Sequence, residues 1–171
     1  IAEIEHIYQT YHTDAFMFQD DELNVNPEMI NLLKSLIKLQ EKLGVDFILR
    51  GYIKAQLFTE EQAMLMYQAG FRRILVGFET ANPRLLKNIQ KASTLEENTR
   101  CMEIAHKHNL GVKALMSIGH PGESPETVKA VDDWLLEVKP FDFDVTVITP
   151  YCGTAYHDDA VPNDKHPGVW T

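Results

Sequence analysis

Polar residues able to bind or orient a ligand follow each apolar run of this 171-residue sequence. Asp20, Asp21 and Glu22 come after Ala15-Phe16-Met17-Phe18, and Arg50 after Val45 to Leu49, a run that reads as a strand ending at Arg50-Gly51. Glu79 and Thr80 come after Arg73 to Phe78, Ser117 and His120 close the run from Val112, and Tyr151 lies just past Phe143 to Ile148. If each run is a parallel strand, these side chains converge on one rim, because functional groups gather past the carboxyl ends of such strands. Ionised carboxylates accept hydrogen bonds and a guanidinium donates them, which suits a polar small molecule. His120 sits in Gly119-His120-Pro121-Gly122, which reads first as a tight turn, with a surface position as the plainer alternative for the imidazole. His106 and His108 are two apart on a helix and do not face one another. No glycine fingerprint for dinucleotides, P-loop or nucleophile elbow is present, so hydride transfer, phosphoryl transfer and serine hydrolysis lack support.

The elements that must carry these residues alternate. Ile1, Ile4, Tyr8 and Tyr11 recur at helical spacing, so an amphipathic helix opens the chain. Asn26-Pro27 predicts a helix start that Gly44 ends. Thr59-Glu60-Glu61-Gln62 and Thr94-Leu95-Glu96-Glu97 predict capped helix starts, as do Asn82-Pro83 and Ser124-Pro125. Five apolar strands separated by helices mean βαβ crossovers and a parallel sheet. Five strands cannot close an eight-stranded barrel, which leaves a partial barrel or an open doubly wound sheet. The expected organisation is an α/β core over residues 1–154 and an irregular polar tail over 155–171.

Composition narrows the class. Hydrophobic residues make up 44%, and the net charge of −9 disfavours non-specific binding to nucleic acid or an anionic membrane. Cys101 and Cys152 lie far apart, so neither a zinc site, a complete iron–sulfur site nor a disulfide scaffold is expected. Free thiols fit a reducing cytoplasm. No apolar run approaches the ~20 residues that span a bilayer. A helical pattern that starts at Ile1 leads us to expect that the chain's own beginning is missing.

Five segments follow one another in a familiar order: Phe18-Gln19-Asp20-Asp21-Glu22, Gly77-Phe78-Glu79-Thr80, Lys91-Ala92-Ser93-Thr94, Gly119-His120-Pro121-Gly122-Glu123-Ser124 and Thr149-Pro150-Tyr151-Cys152-Gly153-Thr154. This series resembles the radical S-adenosylmethionine superfamily, in the branch that often carries a cobalamin-binding domain and in related iron–sulfur oxidoreductases. The resemblance implies a partial TIM-like (β/α) barrel, with about five of its six βα units here. It implies S-adenosylmethionine and a [4Fe–4S] cluster as cofactors, with the C-x-x-x-C-x-x-C cluster ligands outside this chain and cobalamin possible in a separate domain. It further implies reductive cleavage to a 5′-deoxyadenosyl radical acting on an unknown substrate, with an electron donor such as flavodoxin or ferredoxin as partner.

Carried over residue by residue, Glu79 resembles the strand-end acid that meets the cofactor's ribose or amino group, and Lys91 the base that neutralises its carboxylate. Asp20 and Asp21 match the acidic end of the strand near the methionine moiety or substrate. Ser117 and Gly119 would border the adenine, and Tyr151 would stack on it or line the same wall. Arg50 would point into the same mouth. Two departures stand out: the cluster motif is absent, and Ser117 replaces the family's usual aliphatic residue. The leading reading is therefore an oxidoreductase-type radical enzyme core, inactive as this chain alone. A barrel that lost its cluster and serves as a binding module is the alternative from another class, and an unrelated partial-barrel enzyme is the third.

Overall fold

Helix starts fall where side-chain oxygens can reach unpaired backbone N–H groups. Thr59, Thr94 and Ser124 each accept from the backbone three residues on, within reciprocal capping boxes that open α3 (Glu60–Gln68), α5 (Leu95–Lys107) and α6 (Pro125–Val138). Asn82 Oδ1 accepts from Arg84 and Leu85 to open the short α4 (Pro83–Asn88). The computed structural model describes residues 1–152, Thr154 and His157. The remaining elements are α1 (Ala2–Tyr11), β1 (Ala15–Met17), α2 (Met29–Leu43), β2 (Ile48–Ile53), β3 (Phe71–Glu79), β4 (Gly111–Ile118) and β5 (Asp142–Val147). The tail expected from residue 155 lies outside the described residues, His157 excepted.

All five strands are parallel, in the order β1-β2-β3-β4-β5. A doubly wound sheet reverses its strand order part-way, and this one does not. The strands curl into a half-barrel with helices outside, so the α/β partial-barrel expectation holds and the open-sheet option falls.

Strand residues alternate between two faces. Leu49, Ile53, Ile74, Val76, Phe78, Val112, Ala114 and Met116 are buried in one core with Leu33, Leu36, Met66, Met102 and Trp134 of the helices. Burying each large apolar side chain contributes ~1.5–3 kcal/mol. The alternate residues face the concave side. There Lys113 Nζ pairs with Asp142 and Asp144 at 3.2 and 2.9 Å, raising the Lys113 pKa above its ordinary value through those two hydrogen bonds.

Two elements depart from the sequence reading. The helix after β1 starts at Met29 rather than at Pro27 behind an Asn26 cap: a 3-10 turn at Leu23–Val25 intervenes, and Asn26 Oδ1 accepts from Glu28 N at 2.9 Å to make a local turn. Strand β2 begins three residues later than expected and runs through Gly51 to Ile53. Gly51 is no terminator. A Cβ there would lie 2.6 Å from Leu23 Cδ1 and 3.2 Å from Phe18 Cβ, so the glycine admits the segment after β1 to close packing.

Candidate active site

The carboxyl end of β3 is bent so that one acid turns inward. Thr80 N donates to Phe78 O at 2.8 Å, a three-residue turn centred on Glu79, whose φ is 65°. Positive φ in the left-handed region costs a non-glycine residue ~1–2 kcal/mol. The neighbours over-determine it. Phe78 is fully buried, its ring edge-on to Trp134 at 5.1 Å, and Thr80 is buried on the other side. The register with β4 shifts between Gly77 and Glu79, as a bulge that re-aims a side chain does.

The Glu79 side chain folds back over Gly77. Its Oε1 accepts from Lys91 Nζ at 3.0 Å and its Oε2 from the Ser117 hydroxyl at 2.8 Å. Ser117 Oγ also lies 2.7 Å from His120 Nε2. Gly77 makes this possible, since a Cβ there would sit 2.9 Å from Glu79 Oε1 and 3.2 Å from Lys91 Nζ. The Glu79 and Lys91 side chains remain 30% and 26% exposed, so a ligand can reach both. Ser117 and His120 are buried at 7% and 5%. These four residues line an open cavity of about 520 Å³ with Ile89, Thr146, Val147, Ile148, Thr149, Tyr151 and Thr154. That is within the range of small-molecule sites, roughly 300–1,000 Å³.

The family model of the Radical SAM superfamily matches residues 1–135. The chain belongs to the radical SAM superfamily. Members use S-adenosylmethionine and a [4Fe–4S] cluster. An uncharacterised methyltransferase of Pyrococcus horikoshii is 28% identical over 167 residues, covering 96% of this chain and 35% of that protein. Bacteriochlorophyllide d C-12(1)-methyltransferase of Chlorobaculum tepidum is 25% identical over 154 residues, covering 88% and 32%. The chain thus spans about a third of the length of these curated relatives. In fold it is similar to the radical S-adenosylmethionine methyltransferase TsrM of Kitasatospora setae, solved with cobalamin and a [4Fe–4S] cluster bound. That match has a TM-score of 0.76 and 23% identity, and covers 85% of this chain and 29% of TsrM.

Against this radical SAM frame, the sequence-derived residues fall into three places. Glu79, Lys91, Ser117 and Tyr151 share the cavity, Tyr151 being 74% exposed on its wall. Gly119 borders it: a Cβ there would lie 3.3 Å from Ile148 Cγ2, and its N–H already donates to Glu123 Oε2 at 2.6 Å. Asp20 and Asp21 do not line this cavity. They are exposed beside a shallower depression of about 370 Å³ with Glu22, Val25 and Asn26.

Arg50 is also not at the mouth. It is level with Arg73, six residues before Glu79 on the neighbouring strand, or ~20 Å along it at ~3.3 Å per residue. The reading of Gly51 as a strand end placed it wrongly. His120 is buried, against the surface alternative. Sequence reasoning missed Gly77, Thr146 and Ile148. For Gly77 the signal was available: two residues before Glu79, on the same face of a strand, it has no side chain.

Among the described residues no group of three or more His, Cys, Asp or Glu side chains could hold a metal ion. Cys101 is fully buried, and burial pushes its thiol up to about 12. Cys152 is exposed and distant in sequence. This donor set does not fit a [4Fe–4S] cluster. The cavity does fit S-adenosylmethionine, which carries an ammonium, a carboxylate and ribose hydroxyls. A carboxylate, an ammonium and a hydroxyl on its wall complement them. No helix among the described residues is long and apolar enough to cross a membrane.

Proposed function

We propose that this chain forms the cofactor-facing wall of a longer radical SAM enzyme, and that Glu79 and Lys91 hold the polar groups of S-adenosylmethionine. The Glu79–Lys91 pair, held at a strand end over Gly77 inside an open cavity, carries the reading. When reduced by one electron, S-adenosylmethionine supplies a 5′-deoxyadenosyl radical that abstracts hydrogen from substrate. In this proposal Glu79 accepts from the ribose hydroxyls or the amino group. Lys91 exchanges Glu79 for the cofactor carboxylate. A part-exposed ion pair contributes only ~0–1 kcal/mol, so opening it is a small obstacle. Ile89, Val147 and Ile148 give the wall an apolar part that limits water near the ligand.

The proposed reaction class is methyl transfer to a small molecule in place of the oxidoreductase expectation, because the named relatives above are methyltransferases. Cobalamin, if used, belongs to a domain outside these residues, and an electron donor of the flavodoxin or ferredoxin type completes the scheme. The proposed compartment is the cytoplasm. The test is anaerobic reconstitution of the full-length protein with iron and sulfide, followed by reduction and assay of both S-adenosylmethionine products. Formation of 5′-deoxyadenosine supports reductive cleavage. S-adenosylhomocysteine alone would replace it with direct methyl transfer. Neither product above a cluster-free control would refute the enzyme and favour a binding module.

A further inference from the structure

We propose that His120 is a positioning residue that acts through the Ser117 hydroxyl to hold the Glu79 carboxylate in its binding orientation; this rests on the reading of Glu79 as a cofactor ligand. The argument is one of proton counting. Ser117 Oγ lies 2.8 Å from Glu79 Oε2 and 2.7 Å from His120 Nε2. A serine hydroxyl has one proton, and an ionised carboxylate can only accept. The Ser117 proton therefore points at Glu79, and Ser117 accepts from His120. That makes Nε2 the protonated ring nitrogen. The chain runs one way, from imidazole N–H to hydroxyl to carboxylate, and each bond polarises the next. It is not a nucleophile triad, because the carboxylate meets the hydroxyl and not the imidazole.

The relay answers a need. Glu79 has three rotatable side-chain bonds and is part-exposed, so leaving it untethered would spread its carboxylate over many positions. Lys91 cannot serve as the permanent tether if it transfers to the cofactor carboxylate. Ser117 and His120 can, since both are buried and sit three residues apart across the turn at the end of β4. That turn is itself fixed by Gly119 at φ 91° and by Glu123, which accepts from the Gly119 N–H.

The test measures S-adenosylmethionine affinity by equilibrium dialysis in the reconstituted full-length protein, with cluster absorbance and melting temperature as folding checks. Ser117→Ala should weaken binding about tenfold, the scale of one hydrogen bond to a charged group. His120→Ala should weaken it about fivefold, and His120→Gln, whose amide can still donate, should return it to within about twofold of wild type. Ser117→Ala/His120→Ala should bind as Ser117→Ala does. Additive losses, an unaffected His120→Ala or a His120→Gln no better than alanine would each overturn the relay. If His120→Ala fails to fold, Ser117→Ala is compared with Ser117→Ala/His120→Gln: equal affinities support the relay and a further loss overturns it. Glu79→Gln separates the two levels. Unchanged affinity there removes the underlying reading, whereas a loss there with His120→Ala unaffected removes only the relay.

Discussion

Gly77→Ala is the sharpest probe of the proposed site, because one methyl group strikes the ion pair and nothing else. The new Cβ would lie 2.9 Å from Glu79 Oε1 and 3.2 Å from Lys91 Nζ. Ordinary contact begins near 3.4 Å, so the carboxylate must withdraw by roughly half an ångström and the ammonium by less. Both atoms end flexible side chains and can move. The strand also gains, since alanine is favoured over glycine in a strand interior by ~0.5–1 kcal/mol. The exposed pair it disturbs contributes ~0–1 kcal/mol. These terms nearly cancel, so the melting temperature should move by no more than about 2–4 °C. Binding is different, because a carboxylate pushed off its aim weakens a charge-assisted hydrogen bond to the ligand, a loss of about tenfold in affinity. Equilibrium dialysis of S-adenosylmethionine against the reconstituted full-length variant, beside a thermal melt, reads both quantities. Affinity within twofold of wild type would refute the reasoning. So would a large drop in stability, which would make Gly77 a packing residue.

Three further outcomes follow from the same geometry. Glu79→Gly relieves a left-handed backbone strain of ~1–2 kcal/mol but deletes the Lys91 pair, ~0–1 kcal/mol, and the Ser117 hydrogen bond, ~1.5–3 kcal/mol, so stability should fall by no more than ~2 kcal/mol as cofactor affinity falls; a melting temperature more than about 8 °C lower would contradict this. Gly51→Ala should destabilise by ~1–3 kcal/mol through overpacking against Leu23 and Phe18, read as a lower urea midpoint, and an unchanged midpoint would show that the approach is slack. Cys101 should resist alkylation at pH 8 in the folded protein while Cys152 reacts. Because the folded Cys101 thiol is raised to about 12, its contribution to stability is complete below the unfolded value near 8.5–9. It is lost as pH climbs toward 12, by up to ~1.4 kcal/mol per unit. Cys101→Ala should remove that slope, and an unaltered slope would assign it elsewhere.

The βα rhythm was legible because it rests on local signals. Thr59, Thr94 and Ser124 announce their helices through side-chain oxygens that act within three residues. The partial barrel needed more, since strand order separates it from a doubly wound sheet, and order is a tertiary fact. Glycine was the commonest source of error. Gly51 reads as a break from sequence, yet it marks a close approach inside β2. Gly77 reads as an unremarkable strand residue, yet it is the floor under Glu79. In both cases the reason lies in an atom from elsewhere in the chain. Asn26 misled for a local reason, since its side chain satisfies a turn before the helix rather than the helix itself. His120 stood among the rim candidates with a surface position as its alternative, because its turn residues favour one. It is buried, with Nε2 2.7 Å from the Ser117 hydroxyl at the end of β4, a contact between side chains that the turn residues do not announce.

The two partners of Glu79 differ in a way that orders events at the site. Lys91 is carried on the connection between α4 and α5, with Gln90 before it at φ 55°, and its long stem leaves the ammonium 26% exposed. Ser117 belongs to β4, paired on both sides by β3 and β5, and its hydroxyl is buried. Moving Lys91 requires rotation about side-chain bonds in contact with water. Turning the Ser117 hydroxyl away gives up its contacts with both Glu79 and His120 in a buried place. In the proposed site an incoming carboxylate would therefore compete for Lys91 and leave Ser117 in place, so that the pair opens on the lysine side while the acid stays aimed. The same asymmetry explains why the strained Glu79 backbone is tolerated. The left-handed turn and the Ser117 hydrogen bond both fix the carboxylate, and the replaceable contact is the more exposed of its two partners.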